Sequence, residues 1–315
     1  MTDITLATAI ALFLASALRS ATPLVLASIG GAFGQQVNVF NVGLEAMMLV
    51  GAFAGFYASH QTGSVLAGLV AGALAGLLVA LVMAVLVIDF GADEIVTGIA
   101  LNLGALGLTA VLLKESFGSE GSYQSSEAGL ITPIGAGPLA DVPLLGPLLD
   151  SVDAVMVLAV VCVIAAHIFT HRTSHGLRMR AIGSKREAAE SAGVNARSYV
   201  YGSFVVAGLL SGVAGAYLPL SGLSMFTVNM TAGAGFIALA AILFGRGMPL
   251  TVAFAAYLFG AATAAAYRMQ DLGLPNEVVL MLPYLATLVA LLWQAWRVRS
   301  RAARGPKMIT ANIGA

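Results

Sequence analysis

Charged side chains are scarce in this chain: 15 Lys and Arg and 15 Asp and Glu among 315 residues, 10% in all, with a formal net charge of zero. So thin and balanced a complement excludes a general nucleic-acid surface, which needs a basic excess. Cysteine is nearly absent. Cys162 stands alone in an apolar run, so a disulfide framework is excluded and its expected role is small core filler. No Lys or Arg precedes the first apolar run and no clear small-residue cleavage site follows it, so no removable signal peptide is expected. No lysine ends a Gly-x-x-x-x-Gly-Lys pattern, so the chain has no visible means of hydrolysing ATP itself.

What fills the chain instead is apolar: 59% of residues are hydrophobic and the mean hydropathy is +0.93. One water-soluble core cannot hide that much apolar surface, so lipid is the expected solvent. Runs long enough to cross about 30 Å of hydrocarbon, which takes roughly 20 helical residues, recur near 4–32, 42–58, 64–88, 94–113, 152–170, 199–220, 230–245, 249–267 and 278–296. The first is interrupted at Arg19 and Pro23, so the expectation is nine spans, or ten if that run divides. Continuously apolar runs are helices; a membrane barrel requires alternation. The expected fold is an all-α integral membrane bundle, residues 1–315 forming a single transmembrane domain.

Basic residues orient it. Arg172, Arg178, Arg180, Lys185, Arg186 and Arg197 crowd the connection 171–198, and Arg297, Arg299, Arg301, Arg304 and Lys307 the tail 297–315. Four spans separate the two, so both lie on one face, the cytoplasmic one by the positive-inside rule, together with Arg246. The segment 114–150 then lies outside. It carries Glu115, Glu120, Glu127, Asp141 and Asp150 against Lys114, and its four prolines oppose a long helix, which suits a docking surface. Asp89-Phe-Gly91-Ala-Asp-Glu94-Ile-Val and Asp271-Leu-Gly273-Leu-Pro-Asn-Glu277-Val-Val share Asp, Gly, Glu and apolar positions. Each joins two spans, on opposite faces, as an inverted repeat would; two ordinary loops are the plainer alternative.

Gly68, Gly72 and Gly76, and likewise Gly208 and Gly212, recur every four residues and predict close helix packing. Glu45 follows Asn38, Asn41 and Gly43 at the start of an apolar span, where a carboxylate facing lipid is costly. It either lines a solute path, fixes a broken helix beside one, or makes a buried structural hydrogen bond. Asn102, and Asn229 with Thr231 beside the turn Thr231-Ala-Gly233-Ala-Gly235, pose the same alternatives. Gly233-Ala-Gly235-Phe-Ile-Ala238 matches a dinucleotide fingerprint only formally, with no βαβ context and no acidic residue at the ribose distance. His167, His171 and His175 have metal-compatible spacing on what could be one helix face, but without a nearby carboxylate or cysteine they are expected to be interfacial, and no metal is expected.

Glu187-Ala188-Ala189-Glu190-Ser191-Ala192-Gly193 is a run of strong helix formers closed by glycine between two spans. Such a short rigid helix transmits a push from a soluble partner, or simply links two spans. It resembles the E-A-A-x-x-x-G coupling loop of binding-protein-dependent ABC importer permeases. Further segments carry the likeness: Phe40–Phe53, Asp93–Asn102, Gly176–Gly183 and Asn229–Ala240. They resemble, in the family's order, the branched-chain amino acid, ribose and simple sugar permeases, and within them the bacterial nucleoside permeases.

The resemblance implies a type II ABC importer fold in a bacterial inner membrane, with two permease subunits around a central path. It implies two cytoplasmic ATPase subunits that use ATP and Mg, an extracytoplasmic solute-binding protein, and a second permease chain that is related but not identical. Glu187, Ala188, Ala189 and Gly193 would couple to the ATPase, although the family's apolar-Pro ending after Gly193 is missing. Asn41, Glu45, Asn102, Asn229 and Phe236 are chosen for the substrate pathway because a nucleoside wants hydrogen bonds to ribose and a stacking ring. No catalytic residue and no cofactor is expected in this chain. Simple sugars or branched-chain amino acids are alternative cargoes. An ion-coupled secondary transporter is a rival that Glu45, as the one clear embedded titratable group, supports poorly; a membrane-embedded enzyme lacks a converging set of Ser, Asp, His and Glu.

Overall fold

The computed structural model describes residues 6–135, 149–222 and 224–270. The last expected span 278–296, the second repeat copy at Asp271, the basic tail and most of the proline-rich stretch lie outside the described residues. Among the described residues run ten helices: α1 Leu6–Gln36, α2 Leu44–Thr62, α3 Val65–Ile88, α4 Glu94–Phe117, α5 Ala154–Arg172, α6 Ser174–Ser184, α7 Arg186–Ser191, α8 Ala196–Leu220, α9 Ala234–Gly245 and α10 Pro249–Gln270. Two short strands, β1 Ser122–Gln124 and β2 Met225–Thr227, pair antiparallel. Six helices are long and apolar enough to cross a membrane, namely α1, α3, α4, α5, α8 and α10. The architecture is that of a multi-pass, all-helical membrane protein.

Local chemistry sets the helix ends. Asp93 and Asp153 each accept two N–H bonds, at 2.9 Å, from the first turns of α4 and α5; Thr173 and Asn195 cap α6 and α8. Gly63 and Gly118 close α2 and α4 in the left-handed conformation.

One open alternative is decided and one expectation needs correction. The first apolar run does not divide at Arg19 or Pro23: α1 is one helix of 31 residues running through Pro23. Proline removes only the N–H directed at the Arg19 carbonyl, and packing on α8 and α10 holds the turns on either side. The run at 230–245 is helical only from Ala234, because Asn229, Ala232 and Gly233 all take positive φ and turn the chain first. The resulting α9 has 12 residues, about 18 Å at 1.5 Å per residue, too short to cross a bilayer alone.

The core is built where α2, α3 and α8 meet at glycines. A methyl at Gly72 would lie 2.6 Å from the Ala216 Cβ and 2.9 Å from the Gly51 carbonyl; at Gly76 it would overlap the Gly208 carbonyl. The expected four-residue stripes therefore do pack backbone on backbone. Gly72→Val should lower the thermal unfolding midpoint of the detergent-solubilised protein measurably, at a cost of about 1–3 kcal/mol for overpacking; a wild-type midpoint would count against this contact.

The bundle has two distinct ends. At one, the β1–β2 ribbon caps an aromatic cluster of Phe53, Phe56, Phe117, Tyr123 and Phe226. There Ile131 N–H donates to the Leu220 carbonyl, and buried Tyr217 donates to Asp153 at 2.8 Å. At the other end lie the last turns of α1, α3, α5 and α9, together with α6, α7 and the α9–α10 turn. So 171–198 and Arg246 share one end and 118–135 lies at the other.

Candidate functional site

Between α1 and α2 the chain unwinds over residues 37–43, with Asn38 in the left-handed region. Backbone groups freed by the break need partners, and α4 supplies them along one face. Glu94 Oε2 accepts the Phe40 N–H at 2.6 Å. Gly98 leaves room for the chain, since a methyl there would lie 2.7 Å from the Val42 Cβ. Asn102 accepts from Ala46 N–H at 2.9 Å and donates to the Val42 carbonyl at 3.1 Å. It thereby caps α2 from another helix, where the N-cap residue Gly43 has no side chain to do so. Buried Asn41 closes a local turn by accepting from Gly43 N–H at 3.1 Å. Sequence reasoning selected Asn102, read Glu94 only as a repeat position and passed over Gly98, although the spacing of four residues marks them as one face.

Glu45 sits in the first turn of α2, 6% exposed. Its Oε1 accepts from the Thr231 hydroxyl at 2.5 Å and from Gly233 N–H at 2.9 Å, and its Oε2 accepts from Gly235 N–H at 2.6 Å. The carboxylate thus caps α9, whose N-cap Gly233 also lacks a side chain; an anion is favourable at a helix N-terminus. A methyl at Gly235 would lie 2.5 Å from the Glu45 Cα, so the approach needs glycine. Because two glycine N–H groups are spent on Glu45, the Gly-x-Gly run has no amides left to cradle a phosphate. Of the five residues chosen for the pathway, Asn41, Glu45 and Asn102 come together around the start of α2. Asn229 is exposed in the turn before α9, and Phe236 is 45% exposed on α9.

Because α9 starts deep, space remains beside its first turn. A cavity of about 250 Å³ there is lined by Arg19, Tyr217, Ser221, Thr231, Thr263 and Tyr267. Glu45 holds one of those lining hydroxyls from behind.

At the opposite end, α7 ends in a Schellman motif: Gly193 N–H bonds to the Glu190 carbonyl at 2.9 Å and Val194 N–H to the Ala189 carbonyl at 3.0 Å. Gly193 has φ of 82° and open space around it. Glu187 and Ala188 are exposed, while Ala189 is buried in the main core. One face of α7 is thus presented outward and the other is anchored. Arg197, two residues into the next helix, binds Asp89 at the end of α3 at 2.5 Å, and Tyr201 donates to the same carboxylate at 2.6 Å. That latch between α3 and α8 was not foreseen, since its partners are more than 100 residues apart. The three histidines do not share a helix: His175 follows the break at Thr173 and pairs with the Tyr199 hydroxyl, while His171 contacts the His167 carbonyl.

Comparison with known proteins agrees with this architecture. The family described as branched-chain amino acid transport system / permease component matches residues 13–291. The guanosine ABC transporter permease protein NupQ of Bacillus subtilis is 32% identical over 86% of this chain and 88% of its own length. The nucleoside ABC transporter permease protein NupC of Lactococcus lactis is 30% identical over 89% and 91%. A putative glucose ABC transporter permease of Haloferax volcanii is 32% identical over 90% and 91%. No solved structure matches. With a family match across most of its length and relatives above 30% identity, this chain belongs to the permease components of branched-chain amino acid type transport systems.

Proposed function

We propose that the chain is the membrane-spanning permease subunit of an ABC importer that carries nucleosides. The carrying observation is its likeness, over nearly its whole length, to permeases named for guanosine and for nucleosides. It works by alternating access in a bacterial inner membrane. A loaded solute-binding protein docks on the outer end, 114–150, and partner ATPases using ATP and Mg act on the cytoplasmic end. The segment 171–198 is the coupling loop, with Glu187, Ala188, Ala189 and Gly193 presented to the ATPase; 297–315 is a cytoplasmic tail. The fold is of type II, its helices arranged as an inverted repeat, and a related, non-identical permease completes the central path. Asn41, Glu45, Asn102, Asn229 and Phe236 shape that path, Glu45 and Asn102 by holding its broken helices in place.

The glucose-named relative of equal identity favours a second cargo, simple sugars. Uptake of labelled guanosine and labelled glucose by cells with and without the gene separates them. Deletion should abolish high-affinity guanosine uptake and spare glucose; the reverse pattern would transfer the assignment to sugars, and no change in either would overturn the import reading.

A further inference from the structure

The end of α1 is gripped from two sides, by α6 and by the α9–α10 turn. On one side is α6, immediately before the short helix α7. A methyl added to Gly183 would overlap the Gln36 carbonyl oxygen, so α6 rests on the α1 terminus backbone to backbone. On the other side is the α9–α10 turn. The Gln36 side-chain amide donates to the Gly247 carbonyl at 2.7 Å, across 211 residues of sequence. Gly247 has φ of 67°, and a methyl there would lie 2.8 Å from the Gln35 Cγ.

The helix that this turn terminates is α9. Its far end is held by Glu45 through three hydrogen bonds, and along its length Ile242 fills the space beside Gly31 of α1. A helix of 12 residues, fixed at both ends, moves as a rigid strut. Close-packed contacts with no slack pass a displacement on rather than absorb it.

We infer that Gln36 is a positioning residue that relays movement of the coupling segment into α9: α6 pushes on the α1 terminus at Gly183, and the Gln36 amide carries that displacement to Gly247. This rests on the import reading and adds a specific route to it. The Asp89–Arg197 latch is a parallel contact that holds α8 to α3 and does not touch α9.

The test uses the full complex, with its ATPase subunits, second permease and binding protein, in proteoliposomes, and reads guanosine imported per ATP hydrolysed. Gln36→Leu removes the donor at nearly constant size. Its import per ATP should fall about tenfold, within the range of ordinary coupling energies between sites, while hydrolysis stimulated by the loaded binding protein persists. Should Gln36→Leu fail to assemble, Gly183→Ala, which pushes on the same terminus from the other side, gives the same readout. An unchanged ratio, whether both activities stay normal or both fall in proportion, would overturn the relay, because a purely structural role lowers both together. If the wild-type complex shows no ATP-dependent uptake, the import reading fails instead.

Discussion

Replacing Glu187 with Ala together with Gly193 with Val should abolish concentrative uptake while leaving the chain in the membrane at normal abundance. Glu187 is exposed on α7, so its loss disturbs no packing. Gly193 holds the left-handed turn that ends α7, and a β-branched residue there costs about 1–2 kcal/mol of backbone strain. The two bonds that Gly193 and Val194 make to α7 carbonyls would loosen with it. The anchored face at Ala189 keeps the loop attached to the bundle. The expected signature is therefore uncoupling, with solute uptake near background and ATP hydrolysis of the assembled complex retained. Normal uptake by the double variant would refute a coupling role for α7.

Removing the Glu45 carboxylate should be the most damaging single change near the start of α2. Glu45→Ala strands the Thr231 hydroxyl and the Gly233 and Gly235 N–H groups in a buried site, and each unpaired group costs about 1–3 kcal/mol. Glu45→Gln is subtler. All three partners donate, and the amide turns one accepting oxygen into a donor, so one bond becomes a donor–donor clash. We expect Glu45→Gln to lose about 2–3 kcal/mol of stability and to reduce uptake at least tenfold, with Glu45→Ala worse. Thermal unfolding of the purified complex and labelled-solute uptake measure the two effects separately. A Glu45→Gln variant with wild-type stability and transport would mean that α9 does not depend on this cap.

The two sites differ in how far they could be read before folding. The short helix at 186–191 and its terminating glycine are local features: strong helix formers, then a residue that tolerates positive φ, and the structure places them as expected. The cluster around α2 is not local. Asn41, Glu45 and Asn102 stood out as polar residues in apolar surroundings, but polarity alone left path, brace and buried bond equally open. Glu94 stood out only as a repeat position and Gly98 not at all, because a loop-edge carboxylate and a membrane glycine are common, and only the facing segment 40–46 gives their spacing a meaning. Gln36 gave no signal at all, being one polar residue at the end of a long helix.

Residence in the membrane, the approximate limits of the long described helices and the sharing of one end by 171–198 and Arg246 follow from sequence, because hydropathy and capping are properties of neighbouring residues and parity needs only a count of apolar runs. The continuity of α1 through Pro23, the late start of α9 and the identity of its cap were decided only in three dimensions. Glu45 and Thr231 are 186 residues apart, and nothing in either segment alone specifies the other. What selects that contact is the requirement that backbone groups freed by two broken helices find partners within the bundle.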